Sequence, residues 1–219
     1  FDQIFNRYEK NKDLNLLPSY FNKTKNIIFG SYDYFDEKLI VEALNLVYKK
    51  GNISLEKSNT GIILVPHEPS KVNVSRMINI LKKNNFKVEK FSSLKTQQRS
   101  NIIIIDKVGL LADLYKYSQL AYIGAGFGRG VHSVIEPAVY KSIISFGPNI
   151  EMLNEAKDLY ENKLAYMIFN LQDLVHFINL NIDDLLHKKM KNNLSYYMNK
   201  NKNASNKILK KIIELSWFV

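Results

Sequence analysis

Six short runs of strand-forming residues recur along this 219-residue chain: "NIIFGS" (26 to 31), "GIILVP" (61 to 66), "FKVEKF" (86 to 91), "NIIIID" (101 to 106), "LAYIGA" (120 to 125) and "SIISFG" (142 to 147). In several of them the apolar positions are continuous rather than alternating, the pattern of a strand buried on both faces. The intervening stretches have helical spacing and predict helices at about 36 to 50, 73 to 84, 109 to 117, 133 to 140 and 151 to 161. Strand, helix, strand, repeated, demands crossover connections, so the expected fold class is α/β, a Rossmann-like doubly wound parallel sheet. From Leu171 onward only helices are expected. Residues 1 to 180 are therefore assigned to one ligand-binding domain and 181 to 219 to a helical tail.

Hydrophobic residues make up 46% of the chain, enough for a core of that size. The formal charge of +10 points to an anionic partner: a phosphorylated ligand, a nucleic acid or an acidic membrane surface. Nucleic acid is the least favoured of these, because lysines and tyrosines form no recognisable stacking or groove-reading motif. With no cysteine, disulfides and thiolate metal sites are excluded, which fits a cytoplasmic protein. No aliphatic run is longer than that of Ile102 to Ile105, which is too short to span a bilayer. Residues 181 to 219 carry eight lysines against Asp183, Asp184 and Glu214, a surplus of five. The last predicted helix places Ile208, Leu209, Ile212, Ile213 and Trp217 on one side, to pack on the domain or to face a membrane or partner.

Most of the chemistry is concentrated in "YIGAGFGRGVHSVIEPAVY", residues 122 to 140. Gly124, Gly126, Gly128 and Gly130 follow a predicted strand, where a doubly wound sheet binds its ligands. Without side chains there, backbone N–H groups can approach an anion such as phosphate; the same glycines also suit an ordinary tight turn. Their spacing is not the G-x-G-x-x-G dinucleotide fingerprint, which disfavours a nicotinamide cofactor. Ser133 to Glu136 fits a capping box, but Pro137 would then occupy an early helical position and delete a hydrogen bond. If the helix instead begins near Pro137, the Glu136 carboxylate is free to accept from ribose hydroxyls. His132 is either a loop residue or a donor to phosphate or sugar. Asp33 and Asp36 do not make a convincing metal pair, and helix N-terminal capping explains Asp36 better.

Residues 102 to 160 resemble the C-terminal domain of the 3-deoxy-D-manno-octulosonic acid (Kdo) transferases. The residues that carry the resemblance are Asp106, Gly109, Leu114-Tyr115, the glycine turn Gly124 to Gly130, His132-Ser133, Ile135-Glu136-Pro137-Ala138, Gly147-Pro148 and Leu153-Asn154-Glu155-Ala156. Upstream, "FGSYDYFDE" resembles the family's Gly-Ser turn, "VPHEPS" its Pro-His-Glu segment, and the opening "FD" the end of its linker motif. The chain departs from the pattern at Ser133, where Asn is usual, and at Ala125, where a glycine is common; a methyl there is expected to be tolerable only at negative φ.

The resemblance implies half of a GT-B glycosyltransferase that uses CMP-Kdo as donor and a lipid A precursor as acceptor. It implies inverting transfer without a bound metal or cofactor, at the cytoplasmic face of the bacterial inner membrane, as a peripheral protein in lipopolysaccharide biosynthesis. It also suggests a donor site built from Ser31, His67, Asp106, Gly109, Gly124, Gly126, Gly128, Arg129, Gly130, His132, Ser133 and Glu136. Amides around Gly126 to Gly130 would face the phosphate, Ser31 and His132 would donate to it, Arg129 would neutralise phosphate or the Kdo carboxylate, Glu136 would hold the ribose, and Gly109 would admit the cytidine. The family's general base lies in an N-terminal domain to which no segment here corresponds, so this chain alone is expected to bind CMP weakly and to catalyse no transfer. The tail would pack on the donor domain or on that missing domain. Two alternatives stand beside this reading: another GT-B enzyme using a UDP-sugar, and a non-catalytic basic module that docks on a membrane or partner.

Overall fold

The computed structural model describes residues 2–11, 13–94, 99–201 and 213–214. Along the chain run α1 (Asp2–Asn11), β1 (Lys25–Tyr32), α2 (Tyr34–Val47), α3 (Asn52–Lys57), β2 (Thr60–Pro66), α4 (Lys71–Lys83), β3 (Val88–Lys90), β4 (Ile102–Ile104), α5 (Leu111–Leu114) and β5 (Ser118–Ile123). They are followed by α6 (Ile135–Val139), β6 (Ile143–Phe146), α7 (Asn154–Glu161), β7 (Ala165–Met167), α8 (Leu171–Asn179) and α9 (Asp184–Asn201). The strands form one seven-stranded sheet in the order β3-β4-β2-β1-β5-β6-β7, and every pair is parallel. The predicted Rossmann-like fold is thus the observed one. The apolar side chain set of Ile208 to Trp217 lies outside the residues whose side chains can be described, apart from Ile213, which is exposed.

Continuous apolar strands are explained by the two faces they feed. Ile27, Phe29, Ile62, Leu64, Leu120 and Tyr122 enter one core with α2, α4 and α8. The alternate residues Ile28, Ile63, Ile103 and Ala121 enter a second core on the opposite face with Phe21, Leu114 and Tyr117. A third cluster joins Ile123, Ile144 and Phe146 to α6 and to Leu194, Tyr197 and Met198 of α9. Part of the expected tail therefore shares the core of the sheet. Among the described residues no helix is long and apolar enough to cross a membrane.

Three elements were not anticipated: the short helix α3, the edge strand β7 and the helix α1. β7 lies within "KLAYMIF", at the sheet edge, where three residues hold too little periodicity to identify a strand. α1 occupies the segment compared with a linker motif; it packs Ile4, Phe5 and Tyr8 against the third cluster, and Tyr8 meets Tyr140 edge to face at 5.1 Å. Arg7 in α1 donates to both carboxylate oxygens of Asp113, at 3.1 and 2.8 Å, and to the Gly109 carbonyl at 3.2 Å.

Candidate functional site

From β1 the chain crosses to β2 on one side and returns later to β5 on the other. The crevice outside the carboxyl ends of β1 and β5 is thus a topological switch point, where such sheets bind ligands. At this end β1 changes register between Gly30 and Tyr32, and Ser31 sits there in the left-handed region at φ 54°. Such a conformation in a non-glycine residue persists only where the surroundings impose it. Here the His67 amide donates to the Tyr32 carbonyl at 2.8 Å, which extends the β1–β2 pairing past Pro66 and brings His67 beside Ser31. Ser31 Oγ lies 3.0 Å from His67 Nδ1. The His67 ring stacks on that of His132, with centroids 4.8 Å apart and planes 4° from parallel.

Two clefts open around this trio. One, of about 240 Å³, is lined by Asp33, Tyr34, Phe35, His67, Arg76 and Arg129 among others. The other, of about 130 Å³, is lined by Ser31, His67, Lys107, Gly109 and Leu111 among others. Five of the predicted site residues thus border the clefts or touch one that does: Ser31, His67, Gly109, Arg129 and His132. Gly128 backs the first cleft, since a Cβ there would meet the Phe35 ring at 3.0 Å and Asp33 Oδ2 at 3.3 Å. Arg129 reaches Glu68 at 3.8 Å.

The first two glycines serve the protein itself. A Cβ on Gly124 would stand 2.3 Å from Tyr32 Cα, and one on Gly126 would stand 2.6 Å from the Gly147 amide nitrogen. Their missing side chains let the loop cross β1 and the Gly147 turn, and the Gly124 amide donates to the Gly30 carbonyl at 2.8 Å. Gly130, at φ 103°, meets a purely conformational need, because nothing lies closer than 3.6 Å to its missing Cβ. Gly109 is similar, at φ 83° with open space around it. Ala125 is left-handed at φ 65°, against the expectation of a negative angle.

Asp36 holds this loop in place. Fully buried, its carboxylate accepts from the Tyr122 hydroxyl at 2.6 Å, the Ala125 amide at 2.8 Å and the Asp33 amide at 2.9 Å. Asp33 in turn accepts from the Phe35 and Asp36 amides, completing a capping box on α2. Burial pushes the Asp36 carboxyl above its ordinary value, and the three donors pull it back in part. Asn149, which the sequence reading missed, clamps the same loop by donating from Nδ2 to the Gly128 carbonyl at 2.8 Å and from its amide to Gly126 at 2.9 Å. An Asn after Gly-Pro carries no signal of that partner. Arg76 was missed too; it is committed to Glu37, with both oxygens accepting at 2.8 and 2.7 Å.

The remaining predicted residues lie elsewhere or stand alone. Asp106 accepts from the Ser92 amide at 2.9 Å and from its hydroxyl; against the upward push of partial burial, these bonds hold its carboxyl below the ordinary value. It braces the end of β4 rather than a cleft. α6 starts at Ile135 with Val134 as its cap residue, so Ser133 forms no capping box. Pro137 then takes the third helical position, where its missing N–H forfeits no bond. Glu136 is half-buried and faces Arg7 and Asp113; burial raises its carboxyl above the usual range, and Arg7 draws it down in part. Among the described residues the amides of His132 and Ser133 have no protein acceptor, and no group of three or more His, Asp or Glu is placed to hold a metal ion.

No family profile matches the chain. It is 26% identical over 184 residues to the 3-deoxy-D-manno-octulosonic acid transferase of Rickettsia typhi, covering 80% of this chain and 37% of that protein. It is 29% identical over 125 residues to a bifunctional glycosyltransferase/methyltransferase of Fusobacterium nucleatum, covering 55% of this chain and 19% of that one. The chain thus spans little more than a third of the Rickettsia protein's length. Among solved structures it superposes on the C-terminal CMP-Kdo binding domain of WaaA from Acinetobacter baumannii with a TM-score of 0.69 and 16% identity, covering 90% of this chain and 96% of that domain. By sequence this chain is similar to Kdo transferases, and by fold it is a Rossmann-like domain of the kind found in one half of the GT-B fold.

Proposed function

We propose that this chain is the donor-binding half of a Kdo transferase and that CMP-Kdo binds across the two clefts. The observation that carries the reading is the contact of Ser31, His67 and His132 at the switch point. Their polar edges, with the unpartnered amides of His132 and Ser133, supply donors for a phosphate whose negative charge grows as CMP leaves. Arg129 adds a cation. The likeness to the Kdo transferases extends this reading to inverting, metal-independent transfer onto a lipid A precursor. The carboxylates beside the clefts have other work: Asp33 caps α2, Glu37 binds Arg76 and Glu68 faces Arg129. On the likeness to the Kdo transferases, the base that activates the acceptor hydroxyl is assigned to another domain. Exposed Ile182 and Leu185, with Lys188 and Lys189 following on α9, support a peripheral site of action on the inner membrane.

Calorimetry of the chain with CMP, UMP and AMP tests the donor. CMP is expected to bind weakly and in preference to both others. Preference for UMP would assign the clefts to a UDP-sugar enzyme, and preference for AMP, or equal binding of all three, would defeat the reading.

A further inference from the structure

We infer that the stacked pair His67–His132 takes up a proton when a phosphate diester binds beside it, so that donor affinity strengthens as pH falls through the neutral range. The inference rests on the donor site proposed above and concerns how that site holds its anion. Two imidazoles stacked face to face, 4.8 Å between centroids, each suffer directly from a positive charge on the other. Ser31 fixes one member through His67 Nδ1, so the pair cannot relax that repulsion by turning the His67 ring without losing the bond.

The charges around the pair do not relieve it. Arg129 and Lys107 border the clefts that His67 lines, and both are cationic. Asp33, the N-cap of α2, draws a proton toward His132, but its pull is weaker than the push from burial, His67 and Arg129. Glu68 faces Arg129, and Glu37 is bound bidentately by Arg76. Among the described residues neither imidazole is hydrogen-bonded to a carboxylate, and the bond from Ser31 to His67 is the one either ring makes. Burial, then His67 and Arg129, hold His132 below its ordinary value, with Asp33 opposing them. These surroundings thus discourage an imidazolium at His132. An anionic ester oxygen at the ring edges reverses the balance, because it attracts the same proton that the neighbouring cations repel. Binding and protonation are then linked, and each strengthens the other.

A diester isolates the effect, since it has no proton of its own to exchange near neutrality. The probe is cytidine 5′-(methyl phosphate), titrated into the chain at pH 6.5 and 7.5 in buffers of differing ionisation heat. Affinity is expected to be about fivefold higher at the lower pH, with net proton uptake on binding. The chain has four histidines, so proton NMR resolves the acceptor: ligand should raise the titration midpoint of His67 or His132 and leave His176 and His187 in place. His67→Gln and His132→Gln should each flatten the pH dependence. Binding with equal affinity at both pH values and no proton uptake would overturn the inference while leaving the donor reading intact. Uptake that persists undiminished in both variants would overturn it as well, by placing the proton elsewhere. No binding at either pH would remove both.

Discussion

Gly124 and Ala125 differ by one methyl and are expected to respond oppositely when it is moved. A methyl on Gly124 would be driven to 2.3 Å from the Tyr32 backbone, which cannot yield without breaking the end of β1. Gly124→Ala should destabilise the chain by about 2 to 3 kcal/mol, the cost of overpacking a rigid site. Ala125 holds its methyl at φ 65°, a conformation that costs an L-residue about 1 to 2 kcal/mol. Ala125→Gly removes that strain, and the extra freedom of glycine in the unfolded chain returns about 0.5 to 1 kcal/mol, so a net gain of about 0.5 kcal/mol is expected. Urea denaturation of both variants measures the pair, and a stabilised Gly124→Ala would contradict the crossing described here. At this scale the site was partly legible. A glycine run announces that something approaches the backbone, and it was silent on whether that is a ligand or Tyr32 and Gly147. That Ser31 and His67 belong to one site came from the family resemblance; residue type and spacing alone did not place them together, because one lies on β1 and the other just past the end of β2.

The elements were more legible where they are long and amphipathic. α2 and α4 arise close to where periodicity places them, each with a polar cap residue, Asp33 and Ser70. α6 illustrates the limit: a capping box and a proline rule conflicted over Ser133 to Pro137, and the observed start at Ile135 satisfies the proline without using the box. α9 is tied down near its start by His187, which is buried with Nε2 3.1 Å from the Leu180 carbonyl. Burial holds this histidine below its ordinary value, with the Leu180 bond opposing it. The unfolded chain therefore binds the proton first, and stability drains as pH falls from about 7 toward 5.5. His187→Gln removes the titrating group, so its stability should decline less than that of the parent over the same interval. Thermal unfolding at several pH values compares the two; identical slopes would mean that His187 contributes nothing to the acid response.

The whole molecule is a sheet with a firm centre and weak edges. β1, β2 and β5 are paired on both sides and feed opposite cores with alternate side chains, which is why their sequences read as unbroken apolar runs and were found without ambiguity. β3 and β7 contribute three residues each and are paired on one side only. The same shortness explains why β3 was legible only roughly and β7 not at all, since no face of either needs a sustained apolar pattern. Hydrogen exchange should separate the two classes. Amides of β1, β2 and β5 are expected to exchange only through global unfolding, while those of β3 and β7 open locally and exchange at least about tenfold faster. The switch point lies between β1 and β5, so the residues around Ser31 and Gly124 hang from the most protected part of the sheet. If β1 and β5 instead exchanged as fast as the edges, the clefts would rest on a yielding floor, and the fixed spacing of Ser31, His67 and His132 on which the site depends would be lost.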